Sequence, residues 1–151
     1  MILFRKYFFV LLSLALCWLA APAAFAAEMV SAAVGTLHMR AGPGTGYQAR
    51  WTVDKGYPFK VIGRKGKWVK VSDFERDTGW VYGPMTNKKP HRVVRPATVN
   101  LRSQPNLRSA VVARAVRGDV LRTLRHRGSW IQVRRDRGPA GWMRKSQAWG
   151  W

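Results

Sequence analysis

The feature that most constrains the fold of this chain is an internal repeat with a period of 62 residues. Shifting the sequence against itself by 62 positions brings its two halves into register without a gap. Identical residues then coincide at turn and aromatic positions, and conservative pairs such as Phe59 with Leu121 lie between them. The positions assigned a structural role are Arg40, Pro43, Gly56, Gly66, Gly79 and Trp80 in the first copy, and Arg102, Pro105, Gly118, Gly128, Gly141 and Trp142 in the second. A duplicated structural unit explains the coincidence.

Each copy has the pattern of a small β protein. Short runs rich in Val, Ile, Trp, Phe and Thr alternate with Gly, Pro, Asn or Asp at intervals of roughly 8–12 residues. The predicted strands are 36–40, 49–53, 59–63, 68–72 and 79–82 in the first copy, and 98–102, 111–115, 120–124, 130–134 and 141–144 in the second. A glycine-rich loop is expected at 41–47 and a tight turn at 63–66. Closure into a barrel would remove exposed strand edges, so we expect an all-β chain with two tandem small β-barrels.

The first 26 residues have the three parts of a secretory signal peptide. Arg5 and Lys6 precede an apolar run of 13 residues, and the segment ends in Ala24-Phe25-Ala26, the small-x-small pattern of signal peptidase. A run of that length is short for a membrane span, which needs about 20 residues. We therefore predict a signal peptide at 1–26 and no transmembrane span in the mature protein. An uncleaved N-terminal anchor is the alternative.

The rest of the chain is expected to divide into a first barrel at 27–83, a linker at 84–96 and a second barrel at 97–151. Residues 83–96 contain three prolines and five basic residues, counting His91, which suits a linker or a crossing strand. Relative freedom of the two units is the default expectation. The only cysteine, Cys17, lies in the signal segment, which excludes a disulfide, a thiol nucleophile or a Cys-based zinc site in the mature chain.

The repeated motif resembles the bacterial SH3-like domains of exported and cell-envelope proteins. In both copies a hydrophobe and an arginine lead to a proline loop, a glycine opens the next strand, a Gly-x-Trp hairpin follows, and Gly-Trp closes the unit. The first copy reads Met39-Arg40, Pro43, Gly56, Gly66-Lys67-Trp68-Val69-Lys70-Val71 and Gly79-Trp80, and the second reads Leu101-Arg102, Pro105, Gly118, Gly128-Ser129-Trp130-Ile131-Gln132-Val133 and Gly141-Trp142. The match covers essentially the whole mature chain.

The resemblance implies two tandem SH3-like barrels and a function in binding. We expect a non-catalytic, periplasmic or secreted module that associates with peptidoglycan or another anionic component of the envelope. The alternative is an adaptor that binds a protein or peptide partner in the envelope. Ligand identity does not follow from the resemblance.

Five aromatic residues are candidate ligand contacts. Trp68 and Trp130 precede strands in which aliphatic residues alternate with polar ones, so they should lie on the face opposite the core. Tyr47, Trp51 and Tyr57 have no aromatic counterpart in the second copy, which indicates either a role specific to the first copy or simple drift. The alternative for the two tryptophans is a position under the proline loop or at a barrel end.

Two further tryptophans have a structural interpretation. Trp80 and Trp142 follow a glycine on the last strand of each copy, and we expect them in the core because large aromatic side chains are highly buried on average.

The charge of the chain favours an anionic partner. Residues 90–151 contain 14 basic and 2 acidic residues, and all but one of the basic residues are arginine, which forms forked hydrogen bonds with carboxylate and phosphate. A solvated basic surface would have the same composition. Nucleic acid would also fit this charge, but export argues against it as the physiological partner.

Signs of catalysis are weak, so no enzyme, metal site or cofactor is expected. His38, His91 and His126 are scattered and lack metal-ligand spacing. The acidic cluster at 73–77 is interpreted as a solvated hairpin in which Arg76 pairs locally.

Overall fold

A computed structural model describes residues 26–151 of the chain. The predicted signal peptide, including Cys17, lies outside these residues except for its last position. In the described part the chain consists of strands, turns and two short 3-10 helices. No helix among these residues is long and apolar enough to cross a membrane. The all-β fold class is thereby confirmed.

The strands form two sets of seven. Those of the first unit are β1 (Met29–Ala32), β2 (Leu37–Arg40), β3 (Ala49–Val53), β4 (Pro58–Lys65), β5 (Trp68–Ser72), β6 (Thr78–Tyr82) and β7 (Thr86–Asn87). Those of the second are β8 (His91–Val94), β9 (Thr98–Arg102), β10 (Val111–Val116), β11 (Val120–Arg127), β12 (Trp130–Arg134), β13 (Gly141–Arg144) and β14 (Ala148–Gly150). A 3-10 turn at Gly83–Met85, and another at Lys145–Gln147, precedes the last strand of each unit.

The two sheets have the same topology. Their strand orders are β3-β2-β6-β5-β4-β1-β7 and β10-β9-β13-β12-β11-β8-β14, so each strand occupies the place of the strand 62 residues away. The pairs between neighbouring strands are antiparallel throughout the described sheets. The duplication seen in the sequence is therefore a duplication of the fold.

Each sheet encloses its own hydrophobic core. The buried residues of the first core are Val30, Ala32, Leu37, Met39, Phe59, Val69, Val71 and Val81. Those of the second are Val94, Val99, Leu101, Ala115, Leu121, Ile131, Val133, Met143 and Ala148. Most members of one set are the 62-residue counterparts of the other. Burial of each large aliphatic side chain contributes about 1.5–3 kcal/mol, so two such sets can stabilise two small barrels.

The central hairpin of each unit turns at a glycine. Gly66 and Gly128 have φ of 56° and 57°, and each is the first of two turn residues. Without a Cβ, glycine adopts this left-handed conformation at little cost. The turn is shorter than the predicted 63–66, because β4 continues to Lys65, which pairs directly with Trp68.

The segment predicted as a linker contains two strands. Asn87 ends β7, and His91–Val94 form β8, whose Val93 and Val94 are fully buried. Pro90 and Pro96 stand just outside β8, where their missing N–H groups do not interrupt the ladder, and Pro84 lies in the 3-10 turn before β7. The irregular connection between the sheets is accordingly only residues 88–90.

The predicted burial of Trp80 and Trp142 is wrong. Both are only half-buried, while their neighbours Val81 and Met143 are fully buried in the cores. Successive residues of a strand point to opposite faces, so the glycine and aliphatic positions that face the core place the tryptophan between them outside.

The two barrels contact each other through β1 and β8. The fully buried Ser31 donates its hydroxyl hydrogen to the carbonyl oxygen of Lys89 at 2.9 Å, and the Nδ1 atom of His91 lies 2.9 Å from the same oxygen. The His91 ring also packs on Gly56, where an added Cβ would lie 2.8 Å from Cδ2 of the ring. The expected relative freedom of the units is thus restricted by close packing.

Candidate functional site

The barrels carry grooves at equivalent positions. The first groove is lined by Leu37, His38, Arg40, Gly44, Thr45, Trp68, Tyr82 and Met85. The second groove is lined by Thr98, Val99, Asn100, Arg102, Leu107, Trp130, Arg144 and Gln147. Seven of these positions correspond across the 62-residue shift, yet the volumes are about 470 Å³ and about 180 Å³. The repeat therefore places a groove at the same position in each barrel, and the second groove is the smaller one.

The first groove is open and has an aromatic wall. Trp68 on β5 and Tyr82 on β6 are cross-strand partners whose ring centroids lie 5.4 Å apart at an interplanar angle of 57°. Both side chains are half-buried, and Met85 in the following 3-10 turn is 42% exposed. Ligand sites typically have volumes of about 300–1,000 Å³ with apolar and aromatic walls, so this groove has the dimensions of a binding site.

The glycine loop forms the other side of the first groove. The Arg40 guanidinium holds this loop by donating Nη1 hydrogen bonds to the carbonyl oxygens of Thr45 at 3.2 Å and Tyr47 at 2.8 Å. The Tyr47 ring covers Gly42, where a Cβ would lie 2.4 Å from the ring. The ring therefore requires glycine at position 42, because it leaves no room there for a Cβ.

The second groove is largely filled by its own arginine. The Arg144 guanidinium lies 4.4 Å from the ring centroid of Trp130 and donates a 2.5 Å hydrogen bond to Oγ of Ser129. Trp130 is only 8% exposed. Arg144 occupies the position of Tyr82, so a single change of residue type converts an aromatic wall into a cation stacked on the tryptophan.

The predicted contact residues do not form one site. Trp68 and Trp130 line the two grooves, and Tyr47 covers the loop of the first. Trp51, on β3, is 42% exposed but is absent from the lining of that groove. Tyr57 packs on Phe59 with ring centroids 5.2 Å apart, and burial, followed by the nearby charge of Asp73, raises its pKa.

Tyr82 and Met85 are groove residues that the sequence interpretation missed. A signal for them exists, because Tyr82 aligns with Arg144 and Met85 with Gln147. Like Tyr47, each of them differs in residue type from its counterpart in the second copy. Such differences identify candidates, but only the structure shows which of them share a groove.

The acidic cluster organises a loop. The Asp73 Oδ1 atom accepts hydrogen bonds from the backbone N–H groups of Glu75 and Asp77, both at 2.9 Å. Burial raises the pKa of the Asp73 carboxyl. Glu75 forms its ion pair with Arg117 of the second barrel at 2.9 Å, in place of the expected local pairing with Arg76.

The three histidines lie on three different strands. His38 lies on β2, His91 on β8 and His126 on β11, and His38 Nδ1 is 3.1 Å from the Thr52 hydroxyl. Among residues 26–151, no three metal-ligating side chains gather in a geometry that could hold an ion.

Comparisons with known proteins agree with the two-barrel fold. Sequence models of the bacterial SH3 domain match residues 33–87 and residues 97–147. A probable cell wall amidase, LytH, from Staphylococcus aureus is 42% identical over 50 residues, which are 32% of this chain and 17% of that protein. The LytH of Staphylococcus epidermidis is 38% identical over 68 residues, 44% of this chain and 22% of that protein. The chain thus spans about a fifth of the length of these curated relatives.

The solved structures that match this chain are more distant in sequence. The match to an NlpC/P60 family protein from Bacillus cereus covers 82% of this chain and 56% of that protein's chain, with 14% identity and a TM-score of 0.38. The match to NlpC1 from Trichomonas vaginalis covers 85% of this chain and 48% of that protein's chain, with 12% identity and a TM-score of 0.35. The two sequence-model matches together span most of the described residues, and the chain belongs to the bacterial SH3 domain family, with two such domains in tandem.

Proposed function

We propose that this protein is an exported, non-catalytic binding module that associates with the cell wall through the first groove. The observation that carries the proposal is the open aromatic wall of Trp68 and Tyr82 beside a volume of about 470 Å³. An aromatic face of this kind can stack on a sugar ring or pack against a peptide. Peptidoglycan contains both chemistries.

The electrostatics of the chain support an anionic polymer as the partner. Without residues 1–26 the formal net charge is +18, and such a field attracts polyanions and speeds encounter with them. The groove itself is predominantly apolar, so contact there is expected to survive at salt concentrations that screen the long-range attraction.

Two further observations support an envelope role. Residues 1–26 carry the pattern of a secretory signal. Related segments also occur in curated relatives that are named probable cell wall amidases.

The test is co-sedimentation of the mature protein with purified peptidoglycan at physiological salt. Trp68→Ala is expected to weaken binding at least tenfold, because aromatic anchors in pockets dominate binding free energy. Trp51→Ala is the matched control, since Trp51 is an exposed tryptophan of the same barrel outside the groove. Failure of the unmodified protein to sediment with peptidoglycan would refute wall binding.

The adaptor alternative has a different outcome in the same system. A discrete envelope protein retained by the unmodified chain and lost with Trp68→Ala, together with no sedimentation on peptidoglycan, would assign the groove to a protein partner. Release of wall fragments by the purified mature chain would contradict the non-catalytic part of the proposal.

A further inference from the structure

A second concave site lies between the two barrels. This inter-barrel cleft has a volume of about 510 Å³ and is open to solvent on the surface where both units meet. The first barrel contributes Lys60 and the loop that follows β5, and the second contributes Arg95 and Trp149. Neither barrel could form it alone, and it does not share a residue with the first groove.

One arginine holds the walls of the cleft together. Arg117 donates an Nη1 hydrogen bond to the carbonyl oxygen of Arg95 at 2.9 Å and pairs through Nη2 with Glu75 of the first barrel at 2.9 Å. Its guanidinium also lies 5.6 Å from the ring centroid of Phe74. Three contacts from one side chain fix the loop after β5 relative to the start of the second barrel, which a single exposed ion pair would do only weakly.

The cleft has an excess of positive charge. Lys60, Arg76 and Arg95 line it, and none of the three forms an ion pair within residues 26–151. Asp73 is the one carboxylate in the lining, and its Oδ1 atom already accepts two backbone hydrogen bonds. Groups that favour a bound anion therefore outnumber those that oppose it.

Arg76 occupies its place at a conformational cost. Its φ is +74°, a left-handed conformation that is unfavourable for residues with a Cβ. The equivalent residue of the second copy is Gly138, which also has a positive φ, of 155°. Backbone strain retained in one copy and avoided in the other is typical of a position that is needed for a function.

The cleft also offers an aromatic surface. Ala148 of β14 faces the second core, so the next residue, Trp149, lies on the opposite face of the strand and is only half-buried. Phe74 lies on the side of the first barrel. A flat apolar ring beside unpaired guanidinium groups matches a ligand that joins a sugar ring to an acidic group.

We propose that the inter-barrel cleft binds an acidic sugar, with its carboxylate or phosphate held by Arg76 and Arg95 and its ring against Trp149. This site goes beyond the proposed function, because it is separate from the groove and uses both domains at once. It gives the fixed arrangement of the two barrels a role in recognition.

The test is an NMR titration of the mature protein, followed through the indole N–H signal of Trp149. Glucuronic acid and glucose 6-phosphate are the two acidic probes, glucose is the neutral probe of the same ring, and inorganic phosphate is the anion without a ring. At least one acidic sugar is expected to bind at least tenfold more tightly than glucose and than inorganic phosphate. Equal affinity for inorganic phosphate would show simple attraction of anions and overturn the proposal.

Variants separate the cleft from the rest of the surface. Arg76→Gly copies the second barrel, so it should keep or raise the melting temperature while raising the dissociation constant about tenfold, the factor that 1.4 kcal/mol gives. Arg95→Gln should also raise the dissociation constant about tenfold. Arg127→Gln, at a distant hairpin, should bind like the unmodified protein. Unchanged binding by Arg76→Gly would refute the site.

The groove variant distinguishes the two proposals. Trp68→Ala should leave acidic-sugar binding in the cleft unchanged even where it abolishes sedimentation with peptidoglycan. Loss of both with this one variant, or signal changes confined to the groove, would show that the cleft is not an independent site.

Discussion

Arg40 and Arg102 show what a residue shared by both copies does in this fold. Arg40 donates to the carbonyl oxygen of Tyr47, and Arg102 donates to the carbonyl oxygen of Ser109, both at 2.8 Å. In each case the acceptor is seven residues further along the chain. The side chains of Tyr47 and Ser109 differ completely, so the arginine maintains the path of the loop while the residue it holds is free to vary.

Gly79 is a second residue whose structural role can be tested. A Cβ at this position would lie 2.5 Å from Cγ of Met39 and 3.0 Å from the carbonyl oxygen of Arg40. Gly79→Ala should therefore destabilise the first barrel by about 1–3 kcal/mol through overpacking. The measurement is the urea unfolding midpoint followed by tryptophan fluorescence.

The control for this substitution is another glycine of the same barrel. Gly46→Ala places a Cβ where no atom lies within 4 Å, at a residue without positive φ. It should change stability by less than about 1 kcal/mol. Equal losses from both substitutions would mean that contact with Met39 does not set the requirement for glycine at position 79.

At the scale of elements, the ten strands with clear alternation could be predicted and four short ones could not. Strands β3, β5, β9, β12 and β13 have the predicted bounds, because all five lie between turn signals and β5, β9 and β12 also place aliphatic residues on one face. The four missed strands, β1, β7, β8 and β14, have two to four residues each. Both β1 and β8 also face the other barrel, which blurs their alternation.

The grooves were only partly predictable for a similar reason. Strand alternation identified Trp68, but Tyr82 joins it through cross-strand pairing between β5 and β6, which one strand's pattern does not contain. The inter-barrel cleft was beyond prediction from sequence. Its residues come from β4, the loop after β5, the end of β8 and β14, and only packing between the barrels brings them together.

The closed second groove leads to a prediction about strand β13. Arg144→Tyr removes the guanidinium that lies 4.4 Å from the Trp130 ring and restores the aromatic pair of the first barrel. Exposure of the Trp130 ring should therefore increase. The measurement is quenching of tryptophan fluorescence by acrylamide, and peptidoglycan binding should also strengthen if groove chemistry alone decides it.

The reverse exchange needs two changes, which makes a sharper control. Position 67, equivalent to Ser129, holds a lysine that would repel an arginine at position 82. Only Lys67→Ser with Tyr82→Arg should close the first groove, and Tyr82→Arg alone should leave it partly open. If the single and double variants were quenched equally, the hydrogen bond from Arg144 to Ser129 would not be what holds the second groove closed.

At the scale of the whole molecule, the two barrels act as one packed body through a histidine. His91 is buried between Ser31 and Gly56, and its Nδ1 atom donates a hydrogen bond to the carbonyl oxygen of Lys89. Gly118, the counterpart of Gly56 with the same φ of 87°, has no neighbouring atom within 4 Å of its Cβ position. The first barrel thus contributes a surface that is specific to the contact.

The buried His91 predicts that stability depends on pH. Burial has the largest effect and lowers the pKa of His91, although the hydrogen bond to the Lys89 carbonyl and the charge of Asp136 oppose it, and the charges of Arg122 and Lys89 lower the pKa slightly further. The unfolded chain titrates near its ordinary pKa of about 6.5, so it binds more protons than the native state just below that pH. The free energy of unfolding should be highest above about pH 6.5, and it should fall as the pH decreases towards the lowered native pKa.

This dependence can be assigned to the contact between the barrels by comparing histidines. Urea midpoints measured between pH 7.5 and 5.5 should fall for the unmodified protein, and His91→Gln should flatten the curve. Burial also lowers the pKa of His126, but this residue is exposed near the end of β11, whereas His91 is buried. His126→Gln should therefore flatten the curve less. The raised pKa of Asp73 acts in the opposite direction, since it favours the native state in acid. A pH profile unchanged by His91→Gln would mean that proton uptake at the contact does not loosen the barrels, and the rigidity of the inter-barrel cleft would then depend on Arg117 rather than on His91.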